Sequence, residues 1–237
     1  MLTSMDFLVN RPSNGENNLI ATNPAAGIKD IKGGKKYHSK RFFSFEEAKT
    51  ILKHIKSHHS QRDYLMFATM RFAGLRAEEL VTLTWGNLER NAITEGWQLR
   101  VTGKGNKERI VPIPHNLAED LLIFRGSIFG VSTEHDEVPG LVNVPMFGSY
   151  NSKFKVLSTS LLHKLTKKYG QEALGKKISP HWFRHTYATH ARSRKVDIKA
   201  VSMLLGHNSI QTTMNYDHSF QLQQGNYGDI LSDEYEN

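Results

Sequence analysis

Apolar residues recur at helical spacing only after about residue 40. Ser44 can cap a helix, and Glu47 lies three residues later, which is the capping-box pattern. The apolar positions that follow are Ala48, Ile51, Leu52 and Ile55. The pattern predicts a helix that begins at Ser44. Residues 1–40 are rich in Asn, Gly, Ser and Lys and show no sustained period, which predicts a linker or arm.

A second apolar run predicts the next helix. It extends from Tyr64 to Phe72 and stops at Gly74, a residue suited to the C′ position of a helix. A short helix is predicted over residues 77–83, directly after Arg76. Arg76 and Glu79 are three residues apart, so we expect them on the same side of its first turn.

Strand periodicity appears in the middle of the chain. Apolar residues alternate with polar ones over residues 97–102, and a second β-rich run covers residues 109–113. The glycine-containing segment 103–107 lies between them, so the pattern predicts a β-hairpin with Lys104 near its tip. From spacing alone, a solvated turn lysine is the commoner interpretation of Lys104.

The second half of the chain is predicted to be mainly helical. A helix is expected from about Asn116, followed by an irregular connection over residues 126–150. Residues 151–170 combine apolar positions with interleaved lysines, which predicts an amphipathic basic helix. That helix could follow a phosphate backbone or could be a solvated face. The predicted fold class is mainly α with a small antiparallel β-sheet (α+β), built around the hairpin.

Two strong helix starts follow. Ser179-Pro180 predicts a helix that presents His181, Arg184 and His185 on one side. Asp197 is predicted to cap the next helix, which ends at Gly206. His207 lies just beyond that end, and a short last helix from Ser209 is predicted to lead towards Tyr216.

Composition and charge narrow the candidate partners. Lys+Arg number 31 against 23 Asp+Glu, a net charge of +8, and the pI is about 9.5. This balance favours a polyanion, with nucleic acid as the leading candidate. The absence of cysteine excludes disulfides, thiolate catalysis and cysteine-ligated zinc. With no long apolar run and no signal peptide, we expect a cytoplasmic, nucleoid-associated protein without membrane contact.

Five blocks in order resemble the catalytic domain of the tyrosine recombinases, the phage integrase family. They are Gly74–Leu80, Gly103–Arg109, His181–Thr186, Leu204–His207 and Tyr216. Each block alone is a weak signal, but the ordered set is specific. The resemblance implies the tyrosine recombinase catalytic-domain fold.

The resemblance also implies metal-free chemistry at a DNA phosphodiester. Tyr216 would be the nucleophile and would form a 3′-phosphotyrosyl intermediate that conserves the bond energy for rejoining. Arg76 and Arg184 would bind the phosphate, because guanidinium is planar, bidentate and always charged. Lys104 would protonate the departing 5′ oxygen. No cofactor and no metal are expected.

Three further residues take roles from the same resemblance. His181 is expected near the tyrosine hydroxyl as a base, and His207 is expected to donate a hydrogen bond to a non-bridging oxygen. Glu79 matches an acidic position of the family. We expect it to orient the site, because a carboxylate aimed at the phosphate would repel it.

The remaining histidines have other interpretations. His181 and His185 are four residues apart, as zinc ligands can be, but Trp182 stands where a zinc-protease motif has glutamate. No third ligand is evident, so a metal is not expected there. The histidines predicted to lie at the surface are His58, His59 and His190.

The resemblance also predicts a domain organisation. Residues 41–220 would be the catalytic domain, and residues 1–40 a linker or the remnant of an upstream DNA-binding domain. The acidic tail, residues 221–237, is predicted to pack on a neighbouring subunit. Family members usually carry an upstream helical domain that grips the DNA, so we expect a truncated protein, an isolated fragment or a gene remnant with weaker DNA binding.

The predicted function is site-specific DNA recombination by an integrase of a phage or other mobile element. The expected partners are double-stranded DNA, further copies in a homotetramer on paired sites, and DNA-bending accessory proteins. One alternative is a type IB topoisomerase, which His181 disfavours because those enzymes resemble this pattern with lysine there. A second is a catalytically silent DNA-binding protein derived from a recombinase, which the retention of the whole residue set opposes.

Overall fold

The computed structural model describes residues 41–131, 140–149 and 152–206. The helices in chain order are α1 (Phe45–His58), α2 (Gln61–Ala73), α3 (Ala77–Val81), α4 (His115–Phe129), α5 (Thr159–Leu174), α6 (Pro180–Ser193) and α7 (Ile198–Leu205). A 3₁₀ turn covers Trp85–Asn87. The strands are β1 (Leu88–Arg90), β2 (Trp97–Thr102), β3 (Glu108–Ile113), β4 (Gly148–Ser149) and β5 (Ser152–Val156). Among the described helices, none combines the length and apolar character that a membrane span requires.

Helix α1 begins at the predicted capping box. The Ser44 hydroxyl accepts from the Glu47 main-chain NH at 3.1 Å, and the Glu47 carboxylate accepts from the Ser44 NH at 2.9 Å. Helix α2 is the centre of the core, because every residue from Asp63 to Ala73 is buried. It contacts α1, α4 and α6. The predicted mainly helical fold class is confirmed.

The predicted hairpin is confirmed and belongs to a three-stranded antiparallel sheet. Strands β2 and β3 pair from Trp97 opposite Ile113 to Thr102 opposite Glu108. At the tip, positive φ falls on Gly105 and Asn106, at 76° and 57°. The short strand β1 adds to the other side of β2 and was not predicted.

The predicted helix over residues 151–170 is wrong in its first part. Residues 152–156 form strand β5, paired with β4, and the helix begins only at Thr159. The reason is a local cap: the Ser158 hydroxyl accepts from the Leu161 NH at 3.2 Å. Phe154, one of the apolar residues of this segment, is 61% exposed on the strand.

Of the three histidines predicted at the surface, one is buried, one is half-buried and one is exposed. His190 is only 2% exposed, because it satisfies two buried polar groups. Its Nδ1 lies 2.5 Å from Arg71 Nη2, and its Nε2 lies 3.0 Å from the Phe43 carbonyl oxygen. The His59 side chain is 15% exposed, since it contacts α5. His58 is exposed, as predicted.

Two helix-ending glycines provide a matched test of packing. Gly74 and Gly175 end α2 and α5 with φ of 61° and 64°. A methyl group on Gly74 would lie 2.7 Å from the Tyr187 ring, whereas one on Gly175 would meet no atom within 4 Å. We expect Gly175→Ala to cost about 1 kcal/mol from backbone strain alone. Gly74→Ala should cost ~1–3 kcal/mol more from overpacking.

Urea unfolding of the two variants and the wild type, followed by circular dichroism, measures both costs. Equal losses in the two variants would contradict the packing argument, because the backbone strain is shared.

Candidate active site

A cavity of about 1100 Å³ lies beside the hairpin tip. The hairpin, α3, the first turns of α6 and the end of α7 all contribute to its wall. The charged and imidazole residues that line it are Arg76, Glu78, Glu79, Lys104, Lys107, Glu108, Arg109, His181 and Arg184. The structure therefore brings together every predicted site residue that it describes. His207 and Tyr216 lie outside the described residues.

Arg76 and Glu79 occupy the start of α3. Arg76 is the N-cap residue, and its side chain is 36% exposed. Glu79 is 4% exposed, and its carboxylate accepts from the Arg76 main-chain NH at 2.8 Å and from Arg76 Nη1 at 2.9 Å. The carboxylate therefore caps the helix and orients the Arg76 guanidinium with the same two oxygens.

Arg109 is a site residue that the sequence prediction missed. Its Nη1 and Nη2 donate to the two Glu79 oxygens at 2.9 and 2.7 Å, and its Nε donates to the Leu204 carbonyl at 2.6 Å. The signal was present in the strand pattern. Arg109 shares the inward side of β3 with buried Val111 and Ile113, and a charge on that side requires a buried partner.

Arg184 is anchored by the ends of two helices. Its side chain is 3% exposed, and it donates to the carbonyl of Gly74, at 2.9 Å, and to the carbonyl of Leu205. Both carbonyls lie at helix C-termini, where the helix dipole favours a cation. Burial and the nearby Arg76 lower the pKa of Arg184 to about 9, which leaves it charged at neutral pH. A guanidinium has five N–H donors, so these two bonds leave donors for a ligand.

The three guanidinium groups share one carboxylate. Glu79 Oε2 lies 3.9 Å from Arg184 Nη1, in addition to its bonds with Arg76 and Arg109. Burial alone raises the pKa of Glu79, but the hydrogen bonds from Arg109 and the Arg76 main chain outweigh it and lower that pKa. Three guanidinium charges and one carboxylate charge leave a net charge of +2. The cluster therefore suits an anionic ligand.

The two histidines of α6 are held in the neutral form. His181 and His185 have ring centroids 4.3 Å apart. Burial, then His181, Arg184 and Arg41, lower the pKa of His185 to about 4. Burial is also the largest cause that lowers the pKa of His181, and the charge of Arg184 lowers that pKa further. A neutral imidazole can accept a proton at pH 7, so His181 is suited to act as a base.

Lys104 contributes a cation on a long, flexible side chain to the same cavity. Its side chain is exposed at the hairpin tip, between the φ-positive residues and strand β2. Unlike the anchored arginines, it is a compact ammonium on a flexible stem with three donors. The arrangement combines fixed cations, a neutral imidazole and an ammonium on a flexible side chain. Together these groups can bind a phosphate, accept a proton and donate a proton, which are the functions that phosphoryl transfer without a metal requires.

Comparison with known proteins identifies the family of this chain. The model of the phage integrase family matches residues 41–222, so the chain belongs to that family. A tyrosine recombinase of Pseudothermotoga lettingae is 34% identical over 197 residues, 83% of this chain and 62% of the relative. The chain thus spans less than two thirds of that relative's length.

Solved structures show the same fold. A crystal structure of XerA recombinase matches with a TM-score of 0.60 and 26% identity, over 81% of this chain and 64% of that one. A pre-cleavage complex of the XerH site-specific recombinase bound to its difH substrate matches with a TM-score of 0.61 and 21% identity. It covers 76% of this chain and 51% of that chain.

The buried carboxylate yields a prediction about stability. Glu79→Gln removes the charge that compensates three guanidinium groups and should cost about 3 kcal/mol of unfolding free energy. Glu78→Gln, at the exposed neighbouring position, should change it by less than about 0.5 kcal/mol. Urea unfolding at pH 7 gives both values. A loss in Glu79→Gln no larger than in Glu78→Gln would contradict the compensating role.

The Glu79 carboxylate also predicts a pH dependence of the unfolding free energy. Because the folded pKa of Glu79 lies below its ordinary value of 4.5, the ionised carboxylate stabilises the fold above that pH. This contribution is lost as pH falls through the folded pKa. The difference in unfolding free energy between wild type and Glu79→Gln, measured by urea unfolding, should therefore become smaller below pH 4.5.

Proposed function

We propose that this protein is a site-specific DNA recombinase, an integrase that cleaves and rejoins strands through a 3′-phosphotyrosyl intermediate. The observation that carries the proposal is the clustering of Arg76, Arg184, His181 and Lys104 around one cationic cavity. Membership of the phage integrase family supports the same reaction. Type IB topoisomerase activity is less favoured, because the relatives matched are recombinases.

In the proposed reaction, Arg76 and Arg184 bind the non-bridging oxygens of one phosphodiester. Their positions are set in advance by Glu79 and by main-chain carbonyls, so little reorganisation opposes the transition state. The Tyr216 hydroxyl attacks phosphorus, a P–O bond to tyrosine forms, and the bond to the 5′ oxygen breaks. His207 donates a hydrogen bond to the same phosphate.

Two proton transfers complete the step. The tyrosine proton passes to the neutral imidazole of His181, and Lys104 donates a proton to the departing 5′ oxygen. Rejoining runs the same steps in reverse, with a 5′-hydroxyl as the attacking group. The phosphotyrosyl bond stores the energy of the broken linkage, so no external energy source is needed.

The proposed partner is double-stranded DNA. The chain's net charge of +8 supports this, as does the complex of XerH with its difH substrate. We further propose a homotetramer on paired sites, DNA-bending accessory proteins and a nucleoid location. In the proposed domain organisation, residues 41–220 are catalytic, residues 1–40 are a linker or domain remnant, and residues 221–237 pack on a neighbouring subunit.

Covalent trapping tests the nucleophile. A pool of nicked duplexes in EDTA should yield a protein–DNA adduct, because the short fragment released at the nick diffuses away and cannot rejoin. Tyr216→Phe should give no adduct. Tyr227→Phe, which removes another tyrosine of the same region, should behave like wild type. Gel electrophoresis under denaturing conditions measures the adduct.

An adduct that persists in Tyr216→Phe would disprove the nucleophile assignment. Absence of an adduct from wild-type protein that has bound the DNA would count against the reaction itself.

The general acid can be tested by changing the leaving group. Lys104→Ala should slow cleavage by about 10²–10⁴-fold on ordinary DNA. On DNA with sulfur in place of the bridging 5′ oxygen, wild type and Lys104→Ala should cleave at similar rates, because a thiolate leaves without protonation. Lys107→Ala, which removes the other lysine that lines the cavity, is the matched control, and any loss of cleavage in it should be equal on the two substrates. A defect in Lys104→Ala that is equal on both substrates would assign the lysine to binding instead.

A further inference from the structure

The C-terminal ends of α1 and α5 meet at a cluster of imidazoles and a carboxylate. His54 lies in the last turns of α1, His59 is its C-cap residue, and Glu172 lies in the last turn of α5. None of the three lines the cavity described above. Both helix ends carry partial negative charge from their unpaired carbonyls, so a cation at this position is favoured.

The ligand atoms already converge on one point. His54 Nε2 and His59 Nε2 lie 3.3 and 2.8 Å from the same oxygen, Oε2 of Glu172. One ligand atom from each residue lies within 4.8 Å of the other two. In tetrahedral zinc coordination with bonds of about 2.0 Å, ligand atoms are ~3.3 Å apart. The observed spacing therefore needs only a small opening to hold a metal ion.

Packing holds the two rings in these positions. The His59 ring contacts the Tyr169 ring with centroids 4.0 Å apart, and the His54 ring stacks on His58 at 4.5 Å. On the other side of the carboxylate, Lys168 Nζ lies 3.8 Å from Glu172 Oε1. The lysine therefore occupies one oxygen and leaves Oε2 facing the imidazoles.

The donor set selects the kind of ion. Two imidazole nitrogens with one carboxylate oxygen suit Zn²⁺ and neighbouring transition metals, whereas Mg²⁺ and Ca²⁺ prefer oxygen ligands alone. Three protein ligands leave a fourth tetrahedral position for water. Each neutral imidazole would bind through Nε2 and carry its proton on Nδ1.

We infer that His54, His59 and Glu172 form a Zn²⁺ site that joins the end of α1 to the end of α5. The bound ion replaces the two imidazole–carboxylate hydrogen bonds with metal bonds. The site lies on helices that support the core, away from the cavity wall. Its occupancy should stabilise the folded chain, since the unfolded chain does not hold the three ligands together.

Direct binding to the full chain without a histidine tag tests the inference, with ZnCl₂ as the probe. Isothermal titration should show one Zn²⁺ per chain, and the thermal unfolding midpoint should rise with Zn²⁺ and return after EDTA. In His59→Gln and Glu172→Gln the affinity should fall by more than ~100-fold, beyond the cost of losing an outer hydrogen-bond partner. Co²⁺ in the same site should give the visible absorption of a four-coordinate ion.

Two matched variants control for the many other histidines of the chain. His163→Gln removes an exposed imidazole of α5, and His115→Gln removes one that pairs with a single carboxylate, Glu119, at 3.1 Å. Both should retain the wild-type affinity. Circular dichroism without metal separates loss of binding from loss of folding. Absence of stoichiometric binding in the folded wild type, or equal affinity in wild type and folded His59→Gln, would overturn the inference.

Discussion

The candidate site depends on one buried carboxylate. Glu79 compensates guanidinium groups that would otherwise repel one another, and it does so from a position that is 4% exposed. Arg76 and Arg109 satisfy both of its oxygens, and Arg109 also donates to the Leu204 carbonyl in α7. One carboxylate thus connects α3, β3 and α7. A buried ion pair of this kind need not add net stability. Removing one of its charges is nevertheless destabilising, because the charges that remain are buried without compensation.

Helix ends supply the second constraint on the site. Arg184 is anchored by the carbonyls of Gly74 and Leu205, which lie where α2 and α7 end. Each of these helices ends with a glycine in the left-handed conformation, Gly74 and Gly206. The position of the arginine therefore depends on glycines that determine where each helix stops. The same dipole argument explains why the ends of α1 and α5 form a favourable place for a cation.

Sequence patterns predicted helix boundaries better than the long-range contacts between elements. The capping pair Ser44 and Glu47, and the stop at Gly74, identified helix ends because capping is a local interaction. The pattern failed over residues 152–156, which form strand β5 and pair with β4. His190 was placed wrongly for a related reason: its partners, Arg71 and the Phe43 carbonyl, are distant along the chain.

By itself, the sequence determined most of the helices, the β2–β3 hairpin, the caps, the basic balance and the set of residues that resembles the phage integrase family. These features depend on neighbours a few residues apart or on residue identity alone. Only the tertiary structure decided that Glu79, Arg109 and Arg184 share one network, and that His54 and His59 meet Glu172. Such contacts join residues far apart in the chain, and their geometry follows from how the helices and the sheet pack around the core.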